Sequence, residues 1–160
     1  MVASLEQAVS SSHIIISISA QNLRGFAREL NQFDLNGKVV ILCMKGIEAA
    51  TGKRLSQVFQ EEVGSNCKVA VWVGPGHVQG FVRGIHNCMV IGSADIETTK
   101  DVVETFSSDL IRFYYGQDMS GNEIGAAAKN VMGIAAGMLD AFQYSSLKGA
   151  LMARGAREIS

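Results

Sequence analysis

The chain has 160 residues, 48% of them hydrophobic and 18% charged, with a mean hydropathy of +0.18. That fits one domain, or one domain with a piece of another, and excludes a disordered, collagenous or disulfide-scaffold chain. Fourteen Lys and Arg stand against fifteen Asp and Glu, a net charge of −1, so there is no basic field to hold a nucleic-acid backbone and no nucleic-acid partner is expected.

Residues 1–6 lack the basic start and apolar core of a signal peptide. The run His-Ile-Ile-Ile-Ser-Ile over 13–18 predicts a strand buried on both faces. A helix follows over 22–33, with Leu23, Phe26, Ala27 and Leu30 at helical spacing, then a turn at Asp34, Leu35, Asn36 and Gly37. Residues 39–44 read as a second buried strand. Leu55, Val58, Phe59 and Val63 mark another helix, with Gly64 as its stop, and 69–73 is a third strand. Strand, helix, strand, helix, strand is the pattern of a parallel sheet with helical crossovers.

Beyond that, 88–91 and 110–115 predict shorter strands around a helix over 96–106. From Asp118 onward only helices are predicted. Ser120 and Glu123 have capping-box spacing and open a helix to Phe142, and a last helix begins at Ser145. The low-charge stretch 124–139 contains Lys129 and Asn130 and is too short for a membrane span. The chain therefore divides near residue 117, α/β before and all-α after. Cys43, Cys67 and Cys88 are odd in number and lack C-x-x-C spacing, which predicts reduced, buried thiols in a cytoplasmic protein.

Ligands of a parallel α/β sheet bind beyond the carboxyl ends of its strands. That rule gathers Ser19, Ala20 and Gln21 with Lys45 and Gly46 and with Gly74, Pro75 and Gly76. Lys45 is the one cation among them; a plain exposed loop lysine is the competing reading. Gly74, Pro75 and Gly76 read as a strand-to-helix turn, with Pro75 in the first helical turn and bare amides that would favour an anion. No dinucleotide fingerprint results, because Gln79 occupies the third glycine position.

In the long helix, Gly121, Gly125, Lys129, Gly133 and Gly137 recur every four residues, which predicts one smooth face for a backbone or ligand to approach. Lys129 among such small neighbours is expected to be desolvated, with a lowered pKa suited to proton transfer. A close-packed helix pair with the lysine reaching solvent is the equal alternative. His13 and His86 lack a second ligand at metal spacing, so no metal is expected. His77 reads as a surface helix residue that could line the pocket. Tyr114 and Tyr115 read as core and rim of a strand.

Taken in order, Lys45-Gly46-Ile47-Glu48, Gly74-Pro75, the stretch from Glu123 through Gly125, Ala126, Lys129, Asn130 and Val131, then Gly137, Asp140, Arg154, Gly155 and Glu158 resemble the NAD(P)-dependent glycerol-3-phosphate dehydrogenase family. The Gly-Ala-x-x-Lys-Asn-Val stretch is the most specific part. The resemblance implies a partial Rossmann-type sheet over 1–117, followed over 118–160 by the start of the helical substrate domain. It implies interconversion of glycerol 3-phosphate and dihydroxyacetone phosphate, feeding glycerophospholipid synthesis, with NAD or NADP as cofactor.

By the same resemblance Lys129 is the catalytic proton acceptor. Lys45, Gly74, Gly76, Lys129 and Asn130 face substrate, and Ser19, Lys45 and Val78 face cofactor. The chain departs from the family where Gly76, His77, Val78, Gln79 and Gly80 replace the usual Ser/Thr, Phe, Ala, Lys and Glu. Family members are longer at both ends, so the resemblance implies an internal or truncated segment, weak or inactive alone, with a raw sheet edge that favours a homo-oligomer. A hydroxyacid or ketopantoate-type reductase and a non-catalytic assembly remnant are the alternatives.

Overall fold

The computed structural model describes residues 4–76 and 78–159. A short helix α1 (Leu5–Ala8) leads into strand β1 (His13–Ile16), then a 3-10 turn over Ala20–Asn22 and helix α2 (Leu23–Leu30). Strand β2 (Val39–Leu42), helix α3 (Leu55–Val63) and strand β3 (Lys68–Val73) complete two crossovers. Helix α4 (Val78–Val82), strand β4 (Asn87–Ser93), helix α5 (Ile96–Phe106) and strand β5 (Ile111–Gly116) follow. Helices α6 (Met119–Ala141) and α7 (Ser145–Ile159) end the described chain.

The five strands lie side by side in chain order, β1-β2-β3-β4-β5. β1, β2 and β3 are parallel, Ile14 pairing with Val40 and Val40 with Val69. β4 runs antiparallel to β3, with Val73 opposite Val90, while β4 and β5 are parallel to each other. The parallel sheet expected from the strand–helix alternation over 13–73 is present, and the direction reverses only between β3 and β4. The segment from Gly74 to His86 returns to the same end of the sheet instead of crossing it, and a reversal needs no crossover helix.

Alternation along the strands sends side chains to two cores. Ile14, Ile16, Val40, Leu42, Val69 and Val71 pack with Leu23, Ala27 and Leu30 of α2 and Val58 and Phe59 of α3. Val39, Ile41, Ala70 and Ile91 face the other way, against Val102 and Val103 of α5, with Trp72, Phe106 and Phe113 at the margin. β2 is buried at every residue, which is why its sequence is continuously aliphatic.

Several expected boundaries move. The first strand stops at Ile16, and Ser17 and Ile18 leave the ladder. Pro75 does not open a helix: α4 starts only at Val78 and has five residues, so the Gly-Pro-Gly segment is a loop and offers no anion-binding helix start. The long helix is capped by Asp118, whose carboxylate accepts from the Gly121 N–H at 3.0 Å, rather than by Ser120 and Glu123. Tyr114 and Tyr115 are both about half exposed on the edge strand β5, not core. All three thiols are free; Cys43 and Cys67 are half-buried but Cys88 is exposed. His77 lies outside the described residues.

Candidate active site

Two clefts meet at the carboxyl end of β2 and β3, and Lys45 and Gly74 line both. Gly74 has φ +152°, and a Cβ there would fall 3.0 Å from the Met89 Cα and 3.2 Å from the Cys88 carbonyl oxygen. Only glycine lets β3 turn out against β4 at that point. Its carbonyl oxygen accepts a hydrogen bond of 2.9 Å from Lys45 Nζ. Burial, and after it the charge of Lys129, hold the Lys45 amine below its ordinary pKa.

The first cleft, about 440 Å³, lies between this strand end and the start of α6. Gly121, Gly125, Ala126 and Lys129 form the α6 wall, and Ala156 and Ile159 of α7 close it. Lys129 is exposed there. The crowding expected from its glycine neighbours is absent because a four-residue repeat advances about 40° per step on an α-helix. Gly121 and Gly125 reach the cleft, whereas a Cβ on Gly133 or Gly137 would meet nothing within 4 Å.

The second cleft, about 390 Å³, opens on the other side of Lys45. Ile15, Ser17, Cys43, Trp72 and Met89 line it together with Gly76. Ile15, Ser17, Cys43 and Trp72 share the sheet face that α5 covers lower down. Burial raises the Cys43 thiol to a pKa of about 11, so it is an inert wall. A mostly apolar slot with one hydroxyl and a lysine at its mouth fits a flat, weakly polar ring such as nicotinamide.

The lysines are held by their own segments. Glu48, three residues after Lys45, accepts from Arg24 Nε and Nη2 at 2.8 Å each and from Thr51 Oγ1 at 2.5 Å. Those bonds hold its carboxyl down at about pKa 2. Arg24 also reaches Glu61 and Glu62, fastening the Lys45 loop to α2 and α3. On α6, Glu123 is buried and docks on α3.

Lys45, Gly74, Gly76 and Lys129 are thus brought to one edge. Ser19 is exposed beside Gly46, whose Cβ would touch Ala20, but lines neither cleft; nor do Asn130 and Val78, both exposed. Ser17, Trp72, Met89, Asn122 and Glu123 were not picked out as lining or docking residues from the sequence. The parity of Ile15 and Ser17 was a usable signal for the second cleft. Asn122 enters a notch between paired Gly92 and Gly116, where a Cβ on Gly116 would lie 2.1 Å from its Nδ2.

A mostly parallel nucleotide-type sheet whose strand ends face a helix-borne lysine defines the class of an α/β dehydrogenase half. The description of the NAD-dependent glycerol-3-phosphate dehydrogenase N-terminus matches residues 1–99, and that of its C-terminus matches 118–160. The chain belongs to the NAD-dependent glycerol-3-phosphate dehydrogenase family. It is 35% identical over 155 residues to glycerol-3-phosphate dehydrogenase [NAD(P)+] of Clostridium tetani, covering 96% of this chain and 44% of that protein. It is 38% identical over 148 residues to the enzyme of the same name from Moorella thermoacetica, covering 92% and 44%.

Glycerol-3-phosphate dehydrogenase from Coxiella burnetii has the same fold, with TM-score 0.89 at 22% identity over 99% of this chain and 49% of that one. The Plasmodium falciparum enzyme superimposes with TM-score 0.87 at 17% identity, over 98% and 45%. The chain spans less than half the length of these curated relatives. Among the described residues no helix is long and apolar enough to cross a membrane, and no three His, Cys, Asp or Glu gather as metal ligands would.

Proposed function

We propose that the two clefts form the proton-transfer half of an NAD(P)-dependent glycerol-3-phosphate dehydrogenase site. The convergence of Lys45 and Lys129 on one cleft at the strand ends carries this reading. Its substrate is a small phosphorylated three-carbon alcohol or ketone. Lys129 takes the proton from the C2 hydroxyl of glycerol 3-phosphate. In reverse it returns that proton to the C2 oxygen of dihydroxyacetone phosphate as the oxygen gains negative charge. Lys45, fixed by Gly74 and the Glu48 network, orients the anionic substrate. Gly74 leaves room for it, and Gly76 does the same in the second cleft.

NAD or NADP, when bound, supplies or accepts the hydride at C2. The residues of the second cleft would hold its nicotinamide, with Ser19 and Val78 on the approach. The sequence holds no G-x-G-x-x-G turn for the pyrophosphate. Residues 1–117 then serve the cofactor and 118–160 begin the substrate domain. A cytoplasmic setting is supported by three free thiols. Self-association is supported by the unpaired edge of β1, where Ile15 is half exposed.

The test is titration of the 160-residue chain with dihydroxyacetone phosphate, followed by NMR, beside NADH oxidation. Selective perturbation at Lys45, Gly74 and Gly125, lost in Lys129→Ala, supports the reading. Perturbation elsewhere, or NADH oxidation that survives Lys129→Ala, overturns it.

A further inference from the structure

We infer that Glu123 is a positioning residue: its buried carboxylate docks α6 on the start of α3 and so sets where Lys129 stands relative to Lys45. This rests on the reading of the two lysines as one site. Glu123 is only 6% exposed and points away from the cleft. One oxygen accepts from the Ser56 backbone N–H at 2.9 Å, and the other from Ser56 Oγ and Arg54 Nη1, each at 2.6 Å.

The Ser56 N–H is one of the free donors of the first turn of α3, where the helix dipole also favours a negative charge. Four donors come from two residues two positions apart at one helix end: the Arg54 guanidinium, the Ser56 hydroxyl, the Ser56 amide and, on Arg54, a backbone N–H taken up by Gln57 Oε1 at 3.1 Å. Three of them converge on Glu123. A carboxylate bound through both oxygens fixes a direction as well as a distance.

α6 also packs against β3, β4 and α7, but few of its own side chains are buried. Within its 23 residues only Glu123 and Ala136 are buried. Asn122 sits in the glycine notch of β4 and β5, but its buried Nδ2 has no hydrogen-bond partner. The apolar grip near the helix start is Met119 against the core that β1–β3 share with α2 and α3. Lys129 follows Glu123 by six residues, about 9 Å along the helix, so a small rotation at the dock moves the amine across the cleft mouth. A residue whose only task was to cap α6 would bond to α6; Glu123 bonds to α3.

The experiment reads the coupling between the lysines, not activity. The Lys45 pKa is measured by NMR of the side-chain signals in the 160-residue chain, with and without Lys129→Gln, in the parent and in Glu123→Ala. In the parent, removing the Lys129 charge raises the Lys45 pKa, since that charge helps hold it down. In folded Glu123→Ala that rise falls to less than half. Glu123→Gln, which keeps an acceptor for the Ser56 amide, restores part of it. Ser56→Ala, removing only the hydroxyl donor, gives a smaller loss and serves if Glu123→Ala does not fold.

An undiminished rise in a folded Glu123→Ala, or in Ser56→Ala if that is the variant available, overturns the inference. Absence of any rise in the parent overturns the lysine-pair reading itself and the inference with it. A role in stability alone would lower the melting temperature and leave the coupling intact.

Discussion

The half of the molecule around β1 to β3 and the α6–α7 hairpin are built on opposite terms. In the first, Leu23, Ala27, Leu30, Val40, Ile41 and Phe59 are fully buried, and both sheet faces are covered over much of their length. In the second, α7 buries only Gly155, where a Cβ would strike Met132 Sδ at 2.3 Å, and α6 leaves Ile124, Val131, Ile134 and Met138 exposed. The sheet half is held by apolar area, and the hairpin by a few specific docks. Each half contributes one lysine to the cleft, so the site joins a stiff wall to an adjustable one.

The contrast can be broken most directly at Phe59. Phe59→Ala should cost about 3–5 kcal/mol in chemical denaturation, because a large ring leaves a core that cannot collapse around the gap. A loss below about 1 kcal/mol would mean the sheet half is less tightly packed than its burial states. Gly74→Ala comes next, at about 1–3 kcal/mol, since it places a Cβ at positive φ against backbone atoms of β4. It should also displace the carbonyl that Lys45 holds, visible as a shift of the Lys45 side-chain signal.

The Glu48 network sharpens the comparison through pH. The folded pKa of Glu48, about 2, lies below its ordinary 4.5. Its stabilising contribution is therefore complete above about pH 4.5 and is lost as pH falls towards 2. Glu48→Gln should flatten that part of the stability–pH curve and leave the curve above pH 6 parallel to the parent. An unchanged acid limb would remove Glu48 from the account. The smallest effect is expected on the exposed face of α6, where Ile134→Ser should change stability by no more than about 0.5 kcal/mol. A larger change at fixed concentration, together with a fall in sedimentation coefficient, would show that this face is covered by a second copy.

The buried strands were readable because β2 and β3 are covered on both sides and so carry uninterrupted aliphatic runs. Helix α5 was readable from its apolar spacing. The reversed direction of β4 was not, since side-chain alternation is identical in parallel and antiparallel ladders. At the start of α6, Asp118 and Ser120 are both good capping residues two positions apart, and local pattern cannot choose between them. Glu123 was read as a cap because its partners on α3 lie 67 residues away. Lys45 followed from the strand-end rule. That Lys129 meets it depends on how α6 docks, which no periodicity encodes. The lining of the second cleft is not legible in the sequence because Ser17, Trp72 and Met89 come from the segment just after β1, from β3 and from β4.

The order of strands across the sheet is the order of strands along the chain. Among the described strands none has to be inserted between two that have already paired. The sheet can therefore grow by addition at a single edge, each new strand closing only the loop that leads to it, and the entropy of each closure stays modest. During synthesis the β1 to β3 core can form before β4 emerges, and the hairpin bearing Lys129 settles after it onto a surface already in place.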